Sequence, residues 1–265
     1  MSSLKNHIIL YDEDCPLCRA YTSGFIRVNL LDKNGRLPYT TQVNNFPQVD
    51  ATRAADEIAL IDQNGHEVTY GYDSLVKILK NGYPLFGVFA FKPLRFILRQ
   101  LYFFVSYNRK QIIPAEESSC TPSYHFAYRA AYLIFSLLVV AFILNRYAPL
   151  MEPIVPPSHF ARELMICSGQ ILFQGVLAYV VCKGKVMDYL GNMMTVSLGG
   201  SIVLALLSML STALHSPVFF TAAFLTTALF MFLEHRRRMQ LLRMPAVMSL
   251  GWVFYRILLL PLILS

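Results

Sequence analysis

The sequence predicts two parts of different class: a small mixed α/β domain over residues 1–112, then an all-α bundle of about five transmembrane helices over residues 124–265, joined by a polar linker at 113–123. Three observations predict this. Charge is concentrated in the first part. Short apolar runs there alternate with turn signals. Five long apolar stretches fill the second part.

Only 15% of the 265 residues are charged, against about 25% in ordinary soluble domains. Residues 1–120 carry 13 Lys and Arg against 12 Asp and Glu, whereas residues 121–265 carry 10 against 4. A cationic excess among apolar segments points to loops facing the cytoplasm and anionic lipid. Nucleic acid is not an expected partner. The basic run His235-Arg236-Arg237-Arg238 adjoins an apolar segment and has no interleaved aromatic residues. The run His7–Tyr11 is too short for a signal-peptide core and is followed at once by acids, so the first domain is expected in the cytoplasm. Five cysteines in that compartment do not suggest a structural disulfide framework.

His7-Ile8-Ile9-Leu10-Tyr11 reads as a strand buried on both faces. Pro16 to about Leu30 reads as a helix, with Asp14 or Cys15 as its cap and Pro16 in the first turn, where its missing N–H costs nothing. Leu37–Thr41 is a weak strand after an Asn34-Gly35 turn, and Glu57–Ile61 is a clearer one. Asn64-Gly65 then signals a hairpin that brings His66–Tyr72 back. Asp73 is placed to cap a helix through Lys80. The resulting order, β-α-β-(α)-β-β-α with a Cys-x-x-Cys at the first strand–helix junction, is the layout of a thioredoxin-like domain.

The motif "DCPLC" gains its chemistry from that position. A cysteine at a helix N-terminus meets the positive dipole end and free backbone N–H groups, which lower its pKa. Cys18 lies one turn further on the same face, within disulfide reach. Cys15 is therefore expected to be the more exposed nucleophile and Cys18 the resolving thiol. Asp12, Glu13 and Asp14 oppose the dipole, while Arg19 supports it. On balance the acids are expected to disfavour a Cys15 thiolate and to make the couple reducing, as in thioredoxin. Asp12 is a candidate proton acceptor for Cys18.

The segment "YDEDCPLCRAYTSGFIRVN" resembles the start of the DCC family of predicted thiol-disulfide oxidoreductases. "DEIALIDQNGHEVTYGYDSLVKIL" and "LYFFVSYNRKQI" resemble its hairpin with following helix and its closing Tyr…Asn-Arg segment. The resemblance covers roughly residues 7–112, places the family's Asp on Asp12 and its cysteines on Cys15 and Cys18, and puts Glu13 where glycine is usual. It implies dithiol–disulfide exchange with a protein or small-molecule thiol or disulfide partner, and no cofactor beyond the cysteine pair.

Other readings of the motif are half a zinc site, with His7 and His66 as the nearest further ligands, and a domain without chemistry. Metal binding is the lesser alternative, because no second Cys-x-x-Cys exists. Cys120 sits in the linker and is most simply incidental.

The stretch 82–112 is apolar but broken by Lys92, Pro93, Arg95 and Arg99. It is read as two helices completing the domain, one of them able to rest on the membrane surface. Spans are expected at Tyr124–Leu144, Arg162–Cys182, Met187–Leu214, Pro217–Leu233 and Ala246–Leu264, each near the ~20 residues a bilayer needs. The positively charged loops at 183–188 and 235–245 place the N-terminal domain inside and the C-terminus outside. Arg256 lies well inside its segment, and Glu163 is its best partner on depth, a possible intramembrane polar pair. Arg129 and Asp188 fall near the inner boundary, and Gly191, Ser197, Gly199, Gly200 and Ser201 suit close helix packing. Cys167 and Cys182 lie 15 residues apart on one helix, about 22 Å, too far to bridge, so a transmembrane dithiol relay is not expected.

The sequence thus points to a membrane-anchored oxidoreductase using Cys15 and Cys18 in the cytoplasm. The alternative is a membrane binding or transport protein whose thioredoxin-like domain is a non-catalytic docking module.

Overall fold

The computed structural model describes residues 3–65, 67–114 and 122–264. The chain divides into two compact units, Met1–Tyr128 and Arg129–Ser265.

In the first unit, β1 (His7–Tyr11), β2 (Arg36–Pro38), β3 (Ala59–Asp62) and β4 (Val68–Tyr70) form one sheet in the order β2-β1-β3-β4. β1 runs parallel to β2 and antiparallel to β3, and β4 is antiparallel to β3. This is the thioredoxin-like arrangement, and the apolar run of β1 explains itself in it. Ile8 and Leu10 face one layer with Val49 and Ala54, while Ile9 faces the other with Leu30, Leu31 and Ile78. A strand covered on both sides has no polar face to show.

The helices are α1 (Pro16–Arg27), α2 (Tyr39–Gln42), α3 (Ala51–Asp56), α4 (Gly71–Gly82) and α5 (Lys92–Ile112), with a 3-10 segment at Pro84–Ala90. α1 stops before Leu30 because Asn29 adopts a left-handed φ of 58°. Asp73 does not cap α4. It lies inside the first turn, the cap residue Tyr70 offers no side-chain bond, and Asp73 receives both Nε and Nη2 of Arg95 at 2.9 and 2.8 Å. The stretch after α4 is one 3-10 segment and one long helix, α5, whose last two turns reach the sheet edge through Ser106 and Arg109.

Gly71 joins β4 to α4 with a φ of 58°. A Cβ there would collide with Glu57 Oε2 and the Tyr102 ring, so both conformation and space demand glycine.

The second unit is helical: α6 (Phe126–Tyr147, whose first residues belong to the first unit), α7 (Phe160–Val181), α8 (Val186–Ser208), α9 (Pro217–Leu241), α10 (Val247–Leu258) and α11 (Leu260–Leu264). With their flanking turns they make five segments long and apolar enough to cross a membrane: Phe126–Met151, Phe160–Val181, Lys183–Thr212, Pro217–Leu241 and Val247–Leu264. Exposed Leu172, Val176, Val180, Leu225 and Phe230 suit lipid contact. The core between helices is rich in methionine: Met193, Met194, Met239, Met244 and Met248 are buried. Gly200 lets α8 approach α9 closely, since a Cβ there would meet Met231.

α9 runs past the expected span end at Leu233 and absorbs the basic run. Glu234 holds Arg237 at 2.7 Å and Arg238 at 2.8 Å, pairs one turn apart that support the helix. The last span breaks at Leu259, two residues before Pro261, whose missing N–H cannot continue the ladder.

Gly71→Ala is expected to destabilise the first unit by roughly 1–2 kcal/mol or more. The check is faster amide exchange in β3, β4 and α4 of the full chain, with α7–α10 unchanged.

Candidate active site

The site begins with a turn. Asp12 ends β1's exit, and its Oδ1 accepts the Asp14 N–H at 3.1 Å while its backbone oxygen accepts the Cys15 N–H at 3.3 Å. The Asp12 side chain thus closes the turn, and Glu13 follows without a left-handed φ. Cys15 is the N-cap of α1. Its backbone is extended (φ −85°, ψ 110°), Pro16 follows in the first turn, and Cys15 Sγ accepts the Cys18 N–H at 3.4 Å.

Both cysteines are free and buried, Cys15 at 4% exposure and Cys18 at 6%. Exposure therefore does not distinguish the nucleophile, contrary to expectation. The electrostatics do. The hydrogen bond from the Cys18 thiol, more than burial opposes it, lowers the Cys15 pKa to about 6, helped by the Cys18 N–H and the Arg109 charge. The same bond, with burial and the Cys15 charge, pushes the Cys18 thiol up, so Cys18 keeps its proton. The Tyr21 hydroxyl also interacts with Cys18 and is itself held protonated by burial.

The acids do not decide the balance. Asp12 does oppose the thiolate, as its sign requires, but its Oδ2 is paired with Arg109 Nη2 at 3.0 Å and both side chains are buried. Arg109 comes from the end of α5, 97 positions along the chain. Two of its donations hold the loop that faces the cysteines: Nη2 donates to the Ala55 oxygen at 2.9 Å and Nη1 to the Asp56 oxygen at 3.1 Å. Ser106 Oγ donates to the same Asp56 oxygen, and the Ile58 N–H donates to Tyr102 Oη at 3.3 Å. Nothing in the local pattern singled out Arg109, Ser106, Tyr102 or Tyr21. The closing segment "YNRKQI" holds the one signal, an arginine next to the end of the domain.

A cavity of about 260 Å³ opens beside Cys18. Asp12, Arg109 and Ser106 lie at its polar side, and Leu17, Leu75, Leu101 and Val105 form apolar walls.

The other expected residues fall elsewhere. Glu163 stands in the first turn of α7, where Arg162 lies 3.4 Å away and Ser158 donates to it. Arg256 lies over the Trp252 ring at 5.7 Å. The expected Glu163–Arg256 ion pair is not formed: Glu163 meets Arg162 and Ser158, and Arg256 meets the Trp252 ring. Arg129 and Asp188 do meet, at 3.3 Å. Cys167 is buried and Cys182 half-buried, both free. His7 Nδ1 contacts the Lys5 carbonyl oxygen at 2.8 Å, and Cys120 and His66 lie outside the described residues. Among the described residues no group of three or more His, Cys, Asp or Glu side chains is arranged to hold a metal.

Alkylation of Cys15 is expected to rise with pH and reach half its maximum near pH 6, because only the thiolate reacts. Arg109→Gln removes a favourable charge, so that midpoint moves to higher pH. The same change leaves Asp12 buried and unpaired, at a cost of about 3 kcal/mol or more. Asp12→Asn in the Arg109→Gln background restores part of that stability. Iodoacetamide kinetics followed by mass spectrometry, with urea unfolding, check both.

No curated protein and no solved structure matches the chain. Residues 9–114 match the family model described as DCC1-like thiol-disulfide oxidoreductase. The chain thus carries, over residues 9–114, a region that matches the DCC1-like thiol-disulfide oxidoreductase family model, followed by five candidate membrane-spanning helices.

Proposed function

We propose that the protein is a membrane-anchored thiol-disulfide oxidoreductase that works through Cys15 and Cys18 on the cytoplasmic side. The observation that carries this reading is the division of labour between the two sulfurs: an acidified Cys15 at the helix cap and a proton-holding Cys18 one turn on. Cys15 thiolate attacks a disulfide sulfur, forming a mixed disulfide and releasing one thiolate. Cys18 then gives up its proton and attacks Cys15 Sγ, releasing the second thiolate and leaving the Cys15–Cys18 disulfide. Asp12 lines the cavity that Cys18 lines and is the proposed acceptor of the Cys18 proton in the second step.

The sign of the Cys15 shift revises the expected poise. A stabilised thiolate favours the reduced form, so the couple is a stronger oxidant than the charges of Asp12, Glu13 and Asp14 alone suggest. The cytoplasmic placement rests on the positive charges at Lys183, Lys185, Arg236, Arg237 and Arg243.

Equilibration of the full chain in glutathione buffers is expected to give a reversible two-electron transition at a potential less negative than thioredoxin's, about −270 mV. Absence of a reversible disulfide at any poise refutes the reading. Cys15→Ser is expected to abolish exchange, and Cys18→Ser to accumulate mixed disulfides. Asp12→Asn is expected to slow release of the mixed disulfide while leaving Cys15 alkylation at pH 7 undiminished. Thiol labelling of intact, inverted and solubilised vesicles with a membrane-impermeant maleimide reports which side Cys15 faces.

A further inference from the structure

The exchange reading leaves the substrate open, and the surroundings of Cys18 narrow it. An extended polypeptide is recognised through main-chain hydrogen bonds along a loop or sheet edge, with side-chain pockets adding specificity. Here the loop facing the cysteines is already engaged. The Ala55 and Asp56 oxygens accept from Arg109 and Ser106. The Glu57 N–H donates to the Arg53 oxygen, and the Ile58 N–H to Tyr102. Three of these partners, Tyr102, Ser106 and Arg109, come from α5, which therefore occupies the main-chain groups of this loop that a peptide would need.

What remains is the cavity. At about 260 Å³ it is smaller than the ~300–1,000 Å³ typical of drug-sized ligands. Leu17, Leu75, Leu101 and Val105 wall it. Its one lining cation, Arg109, is paired with Asp12, and the other lining charges, Asp56 and Glu57, are carboxylates. A substrate's carboxylates therefore meet no spare cation there. Leu101, at the mouth, is 55% exposed, and Ile97, one turn earlier on α5, is 62% exposed. The approach is apolar as well. Cys18 lines the cavity, and its N–H donates to Sγ of Cys15, which stands next to the lining rather than in it.

We propose that this cavity is the binding site for a low-molecular-weight disulfide with an apolar body, and that α5 closes the site to extended polypeptides. This rests on the exchange chemistry given above. The apolar arm of the disulfide fills the space between Leu17, Leu75, Leu101 and Val105. Cys15 sulfur bonds to one substrate sulfur as the substrate S–S bond breaks, and the departing thiolate takes a proton from water. Cys18 loses its proton, its sulfur attacks Cys15 Sγ, and the second substrate thiolate leaves with that proton. The protein dithiol is oxidised by two electrons and the substrate disulfide becomes two thiols.

The test uses the pre-reduced full chain in phosphatidylcholine nanodiscs. Oxidation of Cys15 and Cys18 is followed by mass spectrometry with bis(6-hydroxyhexyl) disulfide, bis(2-hydroxyethyl) disulfide, glutathione disulfide and a linear peptide disulfide. Each rate is divided by that of free dithiothreitol with the same disulfide. The hexyl compound is expected to react at least roughly tenfold faster than the other three, as buried methylenes imply. Val105→Trp, which fills the cavity, and Leu101→Glu, which charges its mouth, are each expected to remove that preference. Leu101→Glu decides alone if Val105→Trp does not fold. Equal normalised rates, a faster peptide, or a preference that survives in the folded variants overturns the cavity assignment and leaves the exchange reading standing. If no disulfide oxidises the pair, both fall.

Discussion

The buried ion pair between Asp12 and Arg109 is the constraint on which the rest of the first unit depends. Two charges withdrawn from water are costly unless every lone pair and donor is used. Here the cost is offset locally. Asp12 also accepts a backbone N–H of its own turn, and Arg109 also ties down two carbonyl oxygens. The pair therefore fixes three things together: the turn that delivers Cys15, the loop at 55–58, and α5 across the face between them. The charge of Asp12, which opposes the Cys15 thiolate, is met by that of Arg109, which favours it. The hydrogen bond between the two cysteines then sets the balance.

The second unit follows the opposite rule. Many of its apolar side chains turn outward around the methionine-rich core, and several of its polar ones meet one another in the interior. Arg129 pairs with Asp188, Arg238 reaches Asn192 and Glu234, and His235 lies between Ser249 and Tyr189. In a low-dielectric surround such groups are stable only when paired. Cys167 and Cys182 are free and separated along α7, so no dithiol pair lies within this helix.

Much of this was legible in the sequence. Ile8, Ile9 and Leu10 announce a strand covered on both faces, Asn64-Gly65 announces the hairpin, and the five apolar stretches announce the spans. These signals are local, because burial and turn geometry act on neighbouring residues. The missed features are contacts between distant residues. Asp73 looks like a cap until Arg95 takes it. Arg109 looks like one cation among many until it closes on Asp12. Glu163 and Arg256 agree in depth, but depth does not fix which way a side chain turns about its helix axis. The net effect on Cys15 departs from the expectation because the hydrogen bonds from Cys18, and then the distant Arg109 charge, outweigh Asp12.

The span of the Asp12–Arg109 contact has a consequence for how the protein is made. A ribosome releases Cys15 long before residue 109. Until α5 emerges, the carboxylate of Asp12 stands without its guanidinium. The helix that supplies the guanidinium is followed within a few residues by Phe126, the start of the first span. Assembly of the reactive pair and delivery of the chain to the bilayer thus draw on adjacent stretches of the nascent polypeptide. The Cys15 thiol gains the favourable Arg109 charge only at the stage of synthesis when the first span begins to appear.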